Sequence, residues 1–265
     1  MIKGRLPYPF ETIGLAVSFS HGLPRLVAEM KRLAGLHDAM SVFIHAGKKT
    51  SEKQRALSQL LSSYGFNDNN SRVYWDPGET VSTILRICKH EVVDLLLIGA
   101  SEREDFRLPI GQTAHAIALK AKCSLLIYTG AHKGNFQRLV VNGTEHRKTD
   151  KTIQTAVYFA GKENSESINV MDDNVDVQDE SEIVEATQTI NQTLEKPAIK
   201  LGSIQLSRDH SVTETAAKNN ADLLVTYSSD HHLMIFDRIS SKNGLDSMLK
   251  SMPCSMLIVH SRIRD

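Results

Sequence analysis

Short apolar runs alternate with longer amphipathic segments along the first half of the chain. Runs rich in Leu, Ile and Val, such as residues 95–98 and 125–127, carry almost no polar positions. Nearly continuous apolar runs of this length are typical of parallel strands that are covered on both faces. The pattern predicts strands at 12–17, 41–45, 72–75, 94–98 and 124–128, with helices at 23–36, 51–64, 79–90 and 111–121.

The second half follows the same alternation. It predicts strands at 137–141, 167–170, 200–205, 223–226 and 255–259, with helices at 148–160, 182–194, 211–219 and 244–251. Strands that alternate with helices in this way favour right-handed crossovers and a doubly wound sheet. We therefore expect two tandem α/β domains, each with a mostly parallel five-stranded sheet and flanking helices.

Two sequence echoes relate the halves to each other. VDLLLI at 93–98 is echoed by ADLLVT at 221–226, and CSLLIY at 123–128 is echoed by CSMLIV at 254–259. Order and spacing both recur, which is the signature of an internal duplication. The small and polar segment 130–135 resembles a linker, so the predicted domains are 1–130 and 131–265, each long enough to bury a core.

Charge and composition narrow the class of protein. Lys plus Arg and Asp plus Glu number 31 each, so no net field favours nucleic acid or an anionic membrane. No apolar run reaches the length of a membrane span, and the first residues lack the apolar core of a signal peptide. We expect a cytoplasmic protein without direct membrane insertion.

The sequence contains few motifs that would indicate a metal site or an enzyme active site. Cys88, Cys123 and Cys254 form no CxxC pair, and we expect them to be buried apolar residues. The acidic run 172–180 lacks the glycine and glutamate of a calcium loop, and the adjacent His231 and His232 have no third histidine at local spacing. No GxSxG, HExxH or Walker motif occurs, so no catalytic residue is predicted.

Four motifs, taken in order and spacing, resemble the universal stress protein family over residues 10–260. VNGTE at 141–145 is similar to the family's VDGSE, and DLLLIG at 94–99 is similar to DLIVMG. The other two are the helix-opening GQT at 111–113 and the cysteine before each half's final strand. The resemblance implies an adenine nucleotide alpha hydrolase-like fold and a role in stress response.

ATP-binding members of that family carry G-x-x-G, nine residues, and then G-S or G-T, together with an aspartate at the end of the first strand. Glycines let backbone N–H groups approach phosphate, and a helix N-terminus favours anions. Here Glu102 replaces the second glycine, Gly111 comes one residue early, and Ser18 is interpreted as replacing the aspartate. In the second half Asn142 takes the aspartate position, and YSSDHH at 227–232 contains no glycine.

These departures predict degenerate nucleotide sites and a cleft partly filled by side chains such as Glu102 and Tyr227. Trp75, the only tryptophan, is expected in the core or at the edge of the cleft. The candidate ligand-binding or nucleotide-binding residues are Ser18, Ser20, Gly99, Ser101, Gly111, Gln112, Thr113, Asn142, Gly143 and Thr144.

Two functions remain open at this stage. The first is a non-enzymatic stress-response or regulatory protein that acts through an unknown protein partner or small ligand. The second is an ATP-binding or AMP-binding switch, with slow ATP hydrolysis possible, that uses only the first domain; ATP is thus the one cofactor left open. By the same resemblance we expect an internal pseudo-dimer of the two domains through their final strands, and a further homodimer is possible.

Overall fold

The computed structural model describes residues 10–100, 110–130, 134–143, 149–172, 199–207, 209–228 and 244–260. The chain divides into two compact units. The first unit contains the described residues from 10 to 130 together with His260, and the second contains those from 134 to 259.

The first unit is a parallel sheet with helices between its strands. Its strands lie in the order β3-β2-β1-β4-β5, and every pair whose register is defined is parallel. The elements are β1 (Thr12–Ala16), α1 (Leu23–His37), β2 (Met40–Ala46), α2 (Ser51–Ser63), β3 (Ser71–Asp76), α3 (Thr80–His90), β4 (Leu95–Gly99), α4 (Gln112–Lys120) and β5 (Ser124–Tyr128).

Helical periodicity explains how α1 covers this sheet. Its buried side chains recur three or four residues apart, which places them on one face of the helix. They are Leu23, Leu26, Val27, Met30 and Leu33. The strands β1 and β4 beneath it contain residues with no exposed surface, including Ile13, Leu15 and Leu97. The predicted α/β fold, a parallel sheet flanked by helices, is confirmed.

The second unit repeats the strand order. Its strands lie in the order β8-β7-β6-β9-β10, with parallel pairing of β6 to β7, β6 to β9 and β7 to β8. The described elements are β6 (Arg138–Asn142), α5 (Thr149–Glu163), β7 (Ser167–Asp172), β8 (Lys200–Gln205), α6 (Val212–Lys218), β9 (Leu223–Ser228), α7 (Leu245–Lys250) and β10 (Ser255–His260). The helix expected at 182–194 lies outside the described residues.

One aspartate fixes the amino end of the first strand in each unit. Asp94 Oδ2 accepts hydrogen bonds from the backbone N–H groups of Glu11 and Thr12, both at 3.0 Å. Asp222 Oδ2 accepts the same pair of bonds from Gln137 at 3.0 Å and Arg138 at 2.9 Å. The two halves of the sequence echo therefore perform the same structural task.

The three cysteines are buried free thiols, as predicted. A hydrogen bond with Cys123 and burial both raise the pKa of Cys88, and burial raises the pKa of Cys254 to about 12. The raised pKa values of Cys88 and Cys254 suppress the reactive thiolate, and all three cysteines are buried in the core.

Across the described ranges, no helix is both long enough and apolar enough to cross a membrane.

Candidate functional site

The carboxyl ends of β1 to β5 form the edge of the first unit that best suits a ligand. Sequence order reverses between the neighbouring strands β1 and β4. In open α/β sheets a crevice forms outside the carboxyl ends of the strands at such a reversal. We call this region the carboxyl edge of the first unit.

Two of the predicted serines lie at this edge, just after β1. Ser18 and Ser20 are exposed, and their hydroxyl oxygens are 3.3 Å apart. Two exposed hydroxyls at this spacing can donate to, or accept from, a polar ligand group. Ser101, the other predicted serine, lies outside the described residues, as does Glu102.

Gly99 ends β4 and serves helix packing. A Cβ atom built on Gly99 would lie 2.9 Å from Cδ1 of Leu26 in α1. The absence of a side chain at Gly99 therefore lets α1 approach the end of β4.

The start of α4 offers backbone donors at the same edge. Gly111 is the N-cap, no side chain caps the helix there, and no heavy atom lies within 4 Å of a Cβ built on it. Gln112 and Thr113 follow in the first turn and are exposed. The first N–H groups of a helix have no intrahelical partner, and the helix dipole favours an anion beside them. The predicted residues Gly111, Gln112 and Thr113 therefore all lie at the uncapped start of α4.

The start of α3 is occupied by a side chain of its own. The Glu79 carboxylate accepts hydrogen bonds from the backbone N–H groups of Val81 at 2.9 Å and Ser82 at 2.7 Å. The bonds from Ser82 and Val81 hold the pKa of Glu79 below its usual value. A carboxylate that is ionised and bound here repels an external anion, so α3 suits an anion less well than α1 and α4, whose N-caps Gly22 and Gly111 provide no side-chain cap.

Strand register corrects one of the predicted equivalences. Ile13 pairs with Leu95 in the first unit, and Leu139 pairs with Leu223 in the second, directly after Asp94 and Asp222. Counting forward from Ile13 and Leu139, the position of Asn142 corresponds to Ala16. Ser18 lies two residues beyond Ala16, so Ser18 and Asn142, which were both predicted to replace the family's aspartate, do not occupy the same register position. Only three-dimensional pairing fixes this two-residue offset.

The polar residue at the end of β6 is engaged inside the second unit. Asn142 is buried, and its side-chain amide donates to the Thr226 hydroxyl at 3.2 Å. A Cβ atom on Gly143 would lie 2.5 Å from the carbonyl oxygen of Met171, so the close approach of the β7 backbone explains the glycine at this position.

Tyr227 is buried near the end of β9. Thr144 and residues 229–243, which include His231 and His232, lie outside the described residues.

Three rings form an aromatic cluster at the carboxyl edge of the first unit. Phe19 follows β1, His45 lies near the end of β2, and Trp75 lies near the end of β3. The His45 ring meets Phe19 and Trp75 edge-on, with centroids 5.0 Å away in each case, whereas Phe19 and Trp75 are nearly parallel at 6.1 Å. Trp75 is half-buried, which places it at the edge of the predicted cleft rather than in the core.

Sequence reasoning missed Phe19 and His45 as site residues. His45 ends an apolar run, which indicated only a strand, and Phe19 is a single aromatic residue between two serines. The parallel register that sets His45 opposite Trp75 brings the rings together. A signal was available, because parallel strands end at one edge and aromatic residues near their ends therefore converge.

The second unit differs at these positions. Met171 accepts the backbone bond from Gly143 that Ile44 accepts from Val17, so Asp172 corresponds to His45. The register of β7 with β8 then sets Gln205 opposite Asp172, at the position of Trp75. The aromatic cluster is therefore a property of the first unit.

No metal centre emerges within the described ranges. No group of three or more His, Cys, Asp or Glu side chains there is close enough to hold an ion.

Comparison with known proteins finds similarity to one family over part of the chain. Residues 27–129 match the universal stress protein family, whereas no curated protein matches. The chain is similar to a universal stress protein structure from Archaeoglobus fulgidus DSM 4304, with 12% identity, TM-score 0.75, and coverage of 96% of this chain and 99% of that one. It is also similar to a functionally unknown protein from Pseudomonas aeruginosa PAO1, with 14% identity, TM-score 0.70, and coverage of 95% and 92%. At these identities the likeness shows the fold.

Proposed function

We propose that this chain, whose residues 27–129 match the universal stress protein family, is a non-enzymatic regulatory protein of the stress response. It acts through binding of a protein partner or a small ligand, and its nucleotide sites are degenerate. The carboxyl edge of the first unit is the proposed ligand site.

The residue at the end of each unit's first strand carries this proposal. The resemblance assigns an aspartate to that position in ATP-binding relatives, where it meets the nucleoside. Strand register gives Ala16 in the first unit and Asn142 in the second. Ala16 has no polar side-chain atom, and the Asn142 amide donates to Thr226 inside the unit. Neither residue supplies the carboxylate that would recognise a ribose hydroxyl.

Calorimetric titration of nucleotide-stripped protein with Mg-ATP and Mg-AMP tests the proposal. We expect no saturable heat. The variant Ala16→Asp restores a carboxylate at the position of the family's aspartate and is the matched comparison. Saturable binding by the unmodified protein tighter than about 100 μM, roughly 5.5 kcal/mol, would overturn the proposal.

The start of α4 favours a second candidate function, a nucleotide-dependent switch in the first domain. Gly111 leaves the backbone N–H groups of α4 uncapped by any side chain, and the hydroxyls of Ser18 and Ser20 are exposed at the same edge. This switch predicts magnesium-sensitive ATP binding that is lost in Gly111→Glu, because a carboxylate there repels phosphate. A slow release of inorganic phosphate that disappears in the same variant would extend the switch to ATP hydrolysis.

A further inference from the structure

Two thiols of the first unit lie in contact at the amino edge of its sheet, which is the edge opposite the carboxyl edge. Cys88 lies near the end of α3, and Cys123 directly precedes β5. A side-chain hydrogen bond joins them, and both thiols are free and buried. A disulfide needs two sulfur atoms at about 2.05 Å and closely spaced backbones. Two sulfurs that already share a hydrogen bond need only a small side-chain rotation to meet the first requirement.

Backbone hydrogen bonds hold the two cysteines near each other. The N–H group of Val93 donates to the carbonyl oxygen of Cys88 at 2.9 Å, which closes the end of α3. The N–H group of Ser124 donates to the carbonyl oxygen of Asp94, the residue after Val93, at 3.0 Å. The register of β4 with β5 sets Cys123 opposite Asp94. A short chain of bonds thus brings the backbone at the end of α3 close to the start of β5, as a disulfide requires.

The second unit keeps only one cysteine of this pair. The N–H group of Ala221 donates to the carbonyl oxygen of Ala216 at 3.1 Å, which is the bond that Cys88 accepts in the first unit. Ala216 therefore has the position of Cys88, and an alanine offers no thiol. Cys254 precedes β10 as Cys123 precedes β5, and the two are 7% and 8% exposed. Burial does not distinguish these two cysteines, whereas the residue at the helix position does.

The hydrogen bond gives the two sulfurs of the pair different roles. It is the largest cause that raises the pKa of Cys88, ahead of burial. A hydrogen bond that raises the pKa of a thiol stabilises its protonated form, so the thiol is the donor. Cys88 therefore keeps its proton and donates to the sulfur of Cys123. A small uncharged oxidant that reaches the pair meets Cys123 as the nucleophile.

We propose that Cys88 and Cys123 form an oxidation site that reacts with a peroxide and closes an intramolecular disulfide between α3 and β5. The bond joins the end of a helix to the start of a strand at the amino edge of the first unit. The inference goes beyond the proposed function, because it involves neither a nucleotide nor any other ligand at the carboxyl edge.

The reaction balances with one peroxide and two thiols. The Cys123 sulfur, as its thiolate, attacks one oxygen of hydrogen peroxide, so the O–O bond breaks and a sulfenic acid forms. The released hydroxide takes the proton that Cys123 gave up and becomes water. The Cys88 sulfur then attacks the sulfenic sulfur, the S–S bond forms, and the S–O bond breaks. The leaving hydroxide takes the Cys88 proton as a second water, so the thiols lose two electrons and the peroxide gains them.

Contact between the two sulfurs makes the second step favourable. Attack by Cys88 is intramolecular, and a reacting group held in place has a high effective concentration. The sulfenic acid is therefore captured as a disulfide before more peroxide oxidises it to a sulfinic acid, which a thiol reductant does not reverse. Reversibility thus separates a working pair from a single oxidised cysteine.

The test treats the reduced full chain with hydrogen peroxide, blocks the remaining thiols with iodoacetamide in denaturant, and maps the peptides by mass spectrometry without reductant. The chain has three cysteines, and we expect the number of free thiols to fall from three to one. The new cross-linked peptide should join Cys88 to Cys123, and dithiothreitol should restore both thiols.

Two variants serve as matched controls. Cys88→Ala gives the first unit the residue that the second unit has at Ala216, so circular dichroism should show the fold unchanged. Its Cys123 should form no intramolecular disulfide and should be oxidised to a sulfinic acid that dithiothreitol does not reverse. Cys254→Ala removes the cysteine without a thiol at the helix position and should leave the disulfide unchanged.

Three results would overturn the inference. The first is retention of all three thiols at a peroxide concentration that oxidises free glutathione. The second is a disulfide that includes Cys254 or joins two chains in place of the pair. The third is reversible loss of Cys123 to the same extent in Cys88→Ala as in the unmodified protein.

Discussion

Asp94 and Asp222 show how one side chain organises each unit. Each carboxylate accepts two backbone N–H groups at the start of the neighbouring first strand. Those N–H groups precede the part of each first strand that pairs with β4 or β9, so a side chain must satisfy them. Charge-assisted bonds of this kind are stronger than bonds between neutral groups.

Removal of the Asp94 carboxylate should destabilise the first unit. We expect Asp94→Ala to lower the free energy of unfolding by about 2–3 kcal/mol, since two backbone donors lose a charged acceptor. Urea denaturation measures the effect. Asp68→Ala, at an exposed aspartate, is the control and should stay within about 0.5 kcal/mol of the unmodified protein. Equal effects of the two substitutions would contradict the structural role of Asp94.

Individual contacts were the least predictable part of the chain. The sequence marks Asp94 as the residue before an apolar strand, but it does not show that the carboxylate reaches Glu11 and Thr12, more than eighty positions away. The offset between Ser18 and Asn142 was missed for a related reason. One residue at the end of a strand does not show which residue of the neighbouring strand it pairs with. A shift of two positions also keeps each side chain on the same face of the sheet.

At the scale of elements, the capping of α3 combines a local sequence signal with electrostatics. The helix was expected to begin at Glu79, and it begins at Thr80 with Glu79 as the N-cap. At the other end of α3, burial opposes ionisation of Glu91. Hydrogen bonds from Tyr74, Arg72 and His90 outweigh that opposition, so the pKa of Glu91 lies below its usual value. These bonds join the end of α3 to β3, so carboxylates hold both ends of the helix.

The cap should make part of the stability dependent on pH. Because the folded pKa of Glu79 lies below its unfolded value of 4.5, its contribution is complete above the unfolded pKa and is lost as the pH falls through the folded pKa. Glu79→Gln should therefore be less stable than the unmodified protein at neutral pH, and the difference should shrink in acid. Urea denaturation at a series of pH values measures it. A difference that stays constant down to strongly acidic pH would exclude the ionised cap.

Close approach of backbone at the end of β6 gives a second prediction at this scale. Gly143→Ala should destabilise the protein by about 1–3 kcal/mol, because its Cβ would meet the rigid carbonyl of Met171 rather than a movable side chain. Gly35→Ala is the matched control. Gly35 is exposed within α1 with no neighbour within 4 Å, so alanine there should stabilise by about 0.5–1 kcal/mol. Thermal unfolding compares the two, and destabilisation by both would contradict the assignment.

Elements were well predicted where periodicity is strong. The helix expected at 51–64 spans Ser51–Ser63, and the strand expected at 124–128 spans Ser124–Tyr128. The helix expected at 148–160 spans Thr149–Glu163 and so ends three residues later than predicted. Its last turn carries Gly161 and Lys162, which weaken the apolar pattern without ending the helix.

At the scale of the whole molecule, the two units share one strand order and differ in the chemistry at their carboxyl edges. The repeated strand order was anticipated by two echoes in the sequence, because paired strands keep their apolar character. The difference between the edges was not, since His45 and Trp75 correspond to Asp172 and Gln205 only through register. The fold therefore followed from pattern, whereas the candidate site required coordinates.

The position of Trp75 makes the carboxyl edge of the first unit optically distinct. The chain has one tryptophan, and it is half-buried against Phe19 and His45. An indole absorbs at longer wavelengths than the phenol of tyrosine, so selective excitation produces emission from this edge alone. The protein thus carries a built-in fluorescent reporter on the first unit, while the second unit stays dark at the same wavelength.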